Sequence, residues 1–331
     1  MVTITKHEKG FGLIETIIVL IIVMTLGVVG YVIYKHHQQT TVSIKNAVNS
    51  STLQPPRIPT FGAYLGAWPN PSPDGQKTKP NVEKQLPILN QTIGRQLKIE
   101  HLFTGWSVPA PVSEINFINQ NGGMTLVDWG PANYATISGG SDDSVINNYA
   151  NALKSYGKPV FLRWDWEMNL KDPSHVNEGS SIEFIAAWQH IYELFQKDGA
   201  TNVTFVWCPG ISGGLSRFSS WYPGSQYVNW IAVDGYDHHA LGAAGFSNIF
   251  GAWYDQYSSY KKPLMIAETG AQAVDQAAYL QGLESSVQQY TGIKAVVYFD
   301  STGTSGQWTL TGTGLTQFTQ MAQSSYFNPN E

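Results

Sequence analysis

Two glutamates carry the clearest chemical potential in this 331-residue chain: Glu167 in the run "KPVFLRWDWEMN" and Glu268 in the run "KPLMIAETGA". Each run opens on Lys-Pro, continues through apolar residues and reaches a carboxylate, the pattern of a buried strand that delivers a charged group to its C-terminal end. In the first run Arg163, Asp165 and Glu167 fall on alternate positions, so a strand places all three on one face. Three charges lined up on a packed sheet are costly and point to a functional use, against the competing reading of a buried structural ion network. Two carboxyl groups about 5 to 5.5 Å apart can break a glycosidic bond with retention, one attacking the sugar carbon and the other protonating the departing oxygen. At that separation, with an effective dielectric near 20, they repel by roughly 3 kcal/mol, so one of the two holds a proton near neutrality. Arg163, on the same strand face, is the candidate for keeping the attacking group ionised.

Such a pair, a hundred positions apart, needs a fold that brings distant strand ends together. From Phe61 onward eight β-rich runs alternate with helical patterns: "FGAYLGAW", "LKIEHLFTGW", "GMTLVDWGP", "KPVFLRWDWEMN", "NVTFVWCPG", "NWIAVDGYDHH", "KPLMIAETGA" and "IKAVVYFDS". Between the fourth and fifth, Ile182, Ile185, Trp188, Ile191, Tyr192 and Phe195 recur at helical spacing behind a Ser180–Glu183 capping box, with Gly199 as the stop. The alternation predicts a closed (β/α)8 TIM barrel, the alternative being an open doubly wound sheet, for which no glycine-rich phosphate loop follows the first strand. In such a barrel chemistry gathers at the C-terminal strand ends, here Trp68, Trp106, Trp129, Trp166 with Glu167, Trp207, Tyr236 to His239, Glu268 and Tyr298 to Asp300. Aromatic plates beside carboxylates suit the apolar faces and hydroxyl edges of sugar rings. A metal site built from Asp234, Asp237, His238 and His239 is a weaker alternative, since neighbours in one loop rarely converge on one ion.

At these residues the chain resembles glycoside hydrolase family 26. The carriers are "RWDWEMN" (Arg163, Glu167, Asn169), "GATNVTFVW", "VDGYD" (Asp234, Tyr236) and "KPLMIAETG" (Glu268), and the resemblance covers roughly residues 60 to 331. It implies Glu167 as general acid/base, Glu268 as nucleophile, Arg163 and Tyr236 as their neighbours, and Trp308 as a sugar platform after the eighth strand. It also implies a polysaccharide substrate, β-mannan in most members and mixed-linkage β-glucan or β-1,3-xylan in a few, with no cofactor and no metal. Two departures bear on the substrate: Trp166 stands where many mannanases have His before the acid/base, and "LKDPSH" follows "EMN" in place of a tryptophan-rich segment. A catalytically inactive carbohydrate-binding barrel is the competing function.

Totals and termini complete the picture. A formal net charge of -5 with charged residues at 13% leaves no basic surface for a nucleic acid, and 42% apolar content suffices for a large core. The single cysteine, Cys208, reads as a buried small side chain. Phe11 to Tyr34 is an apolar run with Glu15 as its only charge, long enough to cross a bilayer as a helix. Its start, "KGFGLIE", is similar to type IV pilins and pseudopilins at Lys9, Gly10, Phe11 and Glu15. That likeness implies a leader over residues 1–10, cut by a prepilin peptidase, a membrane helix over 11–35 with pilin-like assembly partners, and an extracellular barrel over 59–331. Residues 36–58, polar and ending in prolines, read as a linker.

Overall fold

Runs that alternate apolar and small residues with period two, separated by amphipathic helical segments, can bury both faces only by stacking helices around a parallel sheet. The computed structural model of this chain does so: eight parallel strands close in sequential order into a barrel, which excludes the open-sheet alternative. It describes Tyr31, Lys35 and residues 53–70, 82–170, 178–211, 216–238, 245–301 and 306–329. The strands are β1 (Tyr64–Asn70), β2 (Ile99–Thr104), β3 (Met124–Trp129), β4 (Val160–Trp164), β5 (Val203–Trp207), β6 (Trp230–Asp237), β7 (Leu264–Ala271) and β8 (Ile293–Ser301). The α-helices among the described residues are α1 (Val82–Ile93), α2 (Val112–Gln120), α3 (Tyr134–Ser138), α4 (Asp143–Tyr156), α5 (Ser181–Asp198), α6 (Ser216–Ser219), α7 (Ala252–Tyr257), α8 (Gln276–Gln289) and α9 (Gly312–Gln323).

The chain divides into two compact units, Met1–Thr52 and Leu53–Glu331. Of the first unit only Tyr31 and Lys35 are described; the leader, the rest of the apolar run and the linker as far as residue 52 lie outside the described residues. Among the described residues no helix is long and apolar enough to cross a membrane.

Local signals act where the sequence places them. The Ser180 side chain accepts from the Glu183 backbone and the Glu183 side chain answers to Ser180, starting α5, while Gly199 ends it in the left-handed region at φ 76. Gly157 ends α4 in the same way at φ 79.

Strand alternation then sorts the core into two layers. Tyr64, Ile99, Leu126, Phe161, Val206, Cys208, Ala232, Met265, Ala267, Ala295 and Val297 fill the inside of the barrel. Their alternates, such as Leu65, Val127, Leu162, Phe205, Val233, Ile266 and Val296, pack outward against the helices.

Candidate active site

The phase of the inward residues decides which side chains reach the mouth. Counting by twos from the interior core gives His101 and Phe103 on β2, Asp128 on β3, Arg163 on β4, Asp234 and Tyr236 on β6, and Phe299 on β8. Strict alternation on β7 sends Glu268 outward with Leu264 and Ile266. A β-bulge prevents this: Val233 pairs with Ile266 but Asp234 pairs with Glu268, leaving Ala267 as the extra residue, and the register toward β8 shifts at the same place. The bulge brings Glu268 inside beside Ala267.

Arg163, fully buried, organises the cluster. Its Nε donates to Asp128 Oδ1 at 2.6 Å and its Nη1 to both Asp234 oxygens at 2.7 Å. Its Nη2 donates to Asp128 Oδ2 and to Glu268 Oε1, and lies 3.0 Å from His101 Nε2. The second Glu268 oxygen accepts from the Tyr236 hydroxyl. Burial alone lowers the Arg163 pKa, but Asp128, Asp234 and Glu268 outweigh it and hold the guanidinium well above its ordinary value. Burial raises Asp234 well above the usual carboxylate range; Arg163 opposes this, and Glu268, Glu167 and Asp128 add to it. Tyr236 is raised by desolvation and then by Glu268, so its phenol stays protonated and remains a donor. Cys208, raised by burial first, is a neutral thiol 3.2 Å from Asp234 Oδ1.

Glu167 arrives by a different route. β4 ends at Trp164, and Asp165 (φ 48) and Glu167 (φ 57) both take the left-handed conformation that non-glycine residues rarely adopt. The Glu167 amide donates to Cys208 O at 2.8 Å. Asn169 clips the same turn to the end of β5, donating to Gly210 O and accepting from Gly210 N, each at 2.8 Å. Half-buried Glu167 thus comes within electrostatic reach of Asp234 and Tyr236, the groups that surround Glu268. The face shared by Arg163, Asp165 and Glu167 does not form. Asp165 turns into the outer layer, where its Oδ2 accepts from the Tyr134 hydroxyl at 2.6 Å.

The aromatic candidates separate by phase. Trp68 packs edge-on against Phe103 with centroids 4.8 Å apart, and Phe103 meets Trp166 at 5.2 Å. The Arg163 guanidinium carbon lies 5.6 Å from the Trp166 ring centroid. Phe299 lies between Phe103 and Tyr236, so half-buried Trp166, Phe103, Phe299 and Tyr236 form a band of rings over the charged cluster. Trp129, Trp207 and Tyr298 are corrected to core residues. Trp129 is sandwiched between Trp106 and Tyr149, Trp207 sits against Tyr222 and Tyr257, and Tyr298 packs on Phe318, all on the helix side. Trp106 is half-buried and stacks one face of its ring on Trp129. Trp308 is 1% exposed and stacked on Tyr236 at 4.9 Å, so it backs the mouth and has no free face for a sugar. His238 is exposed beside Tyr236 and Trp308, and His239 lies outside the described residues.

His101, Asp128, Phe103 and Phe299 are site residues that motif reading missed; their strand phase was the available signal. His101, Asp128 and Glu268 are spaced for a metal ion, but Arg163 Nη2 reaches all three and supplies the positive charge there.

In fold the barrel is similar to solved structures of carbohydrate-cleaving enzymes. It resembles a GH26 beta-mannanase from Bacteroides ovatus with a TM-score of 0.63 at 13% identity, over 81% of this chain and 90% of that one. A modular endo-beta-1,4-mannanase of glycoside hydrolase family 26 from Cellulomonas fimi gives 0.62 at 16% identity, over 80% and 71%. No family model matches the chain. In sequence it is 29% identical over 264 residues to Endoglucanase H of Acetivibrio thermocellus, 72% of this chain and 28% of that protein. It is 28% identical over 142 residues to Beta-1,3-xylanase TXYA of a Vibrio species, 41% of this chain and 28% of that one. A mannan endo-1,4-beta-mannosidase of Bacillus subtilis matches at 26% over 177 residues, 47% and 45% respectively. The chain therefore spans under a third of the first two relatives and under half of the third. These relatives and structural neighbours are glycoside hydrolases, and the barrel is similar to a GH26 β-mannanase catalytic domain.

Proposed function

We propose that the barrel cleaves a β-linked polysaccharide internally and with retention, β-1,4-mannan being the first substrate to test. Glu268 attacks the anomeric carbon while Glu167 gives its proton to the departing glycosidic oxygen, so one C–O bond breaks as the glycosyl ester forms. Glu167 then takes a proton from water, whose oxygen displaces Glu268 and restores both carboxyl groups. The observation that carries this reading is the holding of Glu268: one oxygen on Arg163, the other on Tyr236, on a bulge that turns it into the mouth. Two donors orient the nucleophile, and Arg163 retains Asp128 and Asp234 as partners after the ester forms on Glu268.

Mixed-linkage β-glucan is the second substrate to test, on the Endoglucanase H match over 72% of the chain and on the ring of Trp166 where a polar histidine would bond a hydroxyl. Product sizing on mannan, glucomannan, mixed-linkage glucan and β-1,3-xylan decides among them, with Glu268→Ala abolishing release of reducing ends. A barrel that binds but turns over none of the four is the inactive carbohydrate-binding module. We also propose that Phe11 to Tyr34 anchors the barrel outside the membrane after a pilin-type cleavage, on the strength of the apolar run and "KGFGLIE". N-terminal sequencing of the membrane-bound protein then begins at Phe11.

A further inference from the structure

The turn that carries Glu167 is built against its own backbone preference. Glycine is the usual occupant of the left-handed region, and a non-glycine residue held there costs about 1 kcal/mol or more, so something must hold Asp165 in place. Its amide donates to Trp129 O at 3.0 Å, and its Oδ2 accepts from Tyr134 Oη at 2.6 Å. Tyr134 is 1% exposed, at the start of α3, with its ring edge-on to Trp164 and Phe184 at 5.9 and 5.6 Å. Its amide bonds Glu178 O at 2.8 Å, and its hydroxyl lies 3.4 Å from Glu178 Oε2. A phenol fixed on three sides therefore grips the first strained residue of a three-residue turn whose next two are Trp166 and Glu167. Desolvation, then Asp165, raise Tyr134 above its ordinary range and keep the proton on its oxygen.

We propose that Tyr134 and Asp165 are positioning residues for proton delivery: their hydrogen bond fixes the turn so that Glu167 faces the departing oxygen. This rests on the assignment of Glu167 as the acid above. If the turn slackens, Glu167 reaches the oxygen less often while Glu268, held on β7 by Arg163 and Tyr236, attacks as before. The loss therefore falls on substrates whose leaving group needs a proton.

The test compares two aryl glycosides of the same oligosaccharide, one bearing 2,4-dinitrophenol, which leaves without a proton, and one bearing unsubstituted phenol, which needs one. Tyr134→Phe keeps the ring packing and removes only the hydroxyl; Asp165→Gly removes the carboxylate and permits the backbone. In either variant kcat/KM on the phenyl glycoside is expected to fall about 10- to 100-fold, part of the 10²- to 10⁴-fold that acid catalysis contributes. On the dinitrophenyl glycoside it stays within about threefold, and Asp165→Asn, which keeps an acceptor oxygen, recovers part of the loss. Equal falls on both glycosides, or no fall on either, overturn the positioning role while leaving the hydrolase reading intact. An unaltered enzyme inactive on both glycosides and on all four polysaccharides overturns the hydrolase reading, and the positioning role with it. Should Tyr134→Phe not fold, Asp165→Gly carries the same comparison.

Discussion

Asp300 and Glu100 form a buried acidic pair away from the mouth, and the structure predicts how stability responds when it is broken. Asp300 is 4% exposed near the end of β8, with one oxygen accepting from the Leu310 amide at 2.7 Å. Glu100, 1% exposed on the outer phase of β2, has no hydrogen-bond partner for either oxygen among the described residues. Burial, eased only in part by the Leu310 amide, raises Asp300 from 3.8 to about 7; burial and then Asp300 raise Glu100. A carboxyl raised on folding binds more protons in the folded state, so its contribution to stability is greatest below the unfolded pKa. It is lost as pH rises from about 4 to about 7 and is level above that. For a single site with those two values the loss is roughly 2 kcal/mol by pH 5 and roughly 4 kcal/mol by pH 8, a difference of about 2 to 3 kcal/mol. Asp300→Asn keeps an oxygen for Leu310 and removes the titration, and it relieves Glu100 as well. The variant should gain about 2 to 3 kcal/mol over the parent between pH 5 and pH 8, or about 5 °C in thermal midpoint. Thermal unfolding of both proteins at the two pH values measures it. A difference that does not change with pH, or one that favours the parent at pH 8, would refute the burial of an ionisable pair at this place.

Other consequences can be checked alongside. Arg163→Met leaves Asp128, Asp234 and Glu268 facing one another without their cation, so it should destabilise by about 3 to 5 kcal/mol and abolish turnover; chemical denaturation and a reducing-end assay read the two effects. Trp166→Ala removes a ring from the band over the cluster, and a rise in KM of about tenfold, equal to about 1.4 kcal/mol, is expected from kinetics on soluble polysaccharide. Trp207→Phe should lower the thermal midpoint with KM unchanged, because that side chain lies on the helix side of the barrel. Asn169→Ala orphans the buried amide and carbonyl of Gly210 at about 1 to 3 kcal/mol each, seen as a loss of stability and of activity together.

The barrel was legible because each strand carries its own punctuation: Lys-Pro before β4 and β7, the Ser180 box and Gly199 around α5, and apolar runs that alternate between two layers. The glutamates were legible as strand-end charges with no packing reason to be there. The tryptophans misled because "strand end" does not specify a face. Trp129, Trp207 and Tyr298 stand one residue out of phase with Asp128, Cys208 and Phe299, and a one-residue step moves a side chain from the mouth to the helices. Counting phase from Leu126 or Val297 would have found Asp128 and Phe299. Phase counting alone, however, would have discarded Glu268, whose inward aim depends on the bulge at Ala267, and no residue type in "LMIAETG" announces a bulge. The left-handed turn at Asp165 and Glu167 was hidden for a similar reason, since neither residue is the glycine that normally marks such a conformation.

Covalent trapping tests the central claim most directly. The barrel is incubated with a 2-deoxy-2-fluoro oligosaccharyl fluoride of whichever glycan it cleaves, digested, and its peptides weighed. The account predicts one sugar adduct, on the peptide that contains Glu268, and none in Glu268→Ala. An adduct on another carboxylate, or turnover of the natural polysaccharide with inversion and no adduct at all, would contradict it.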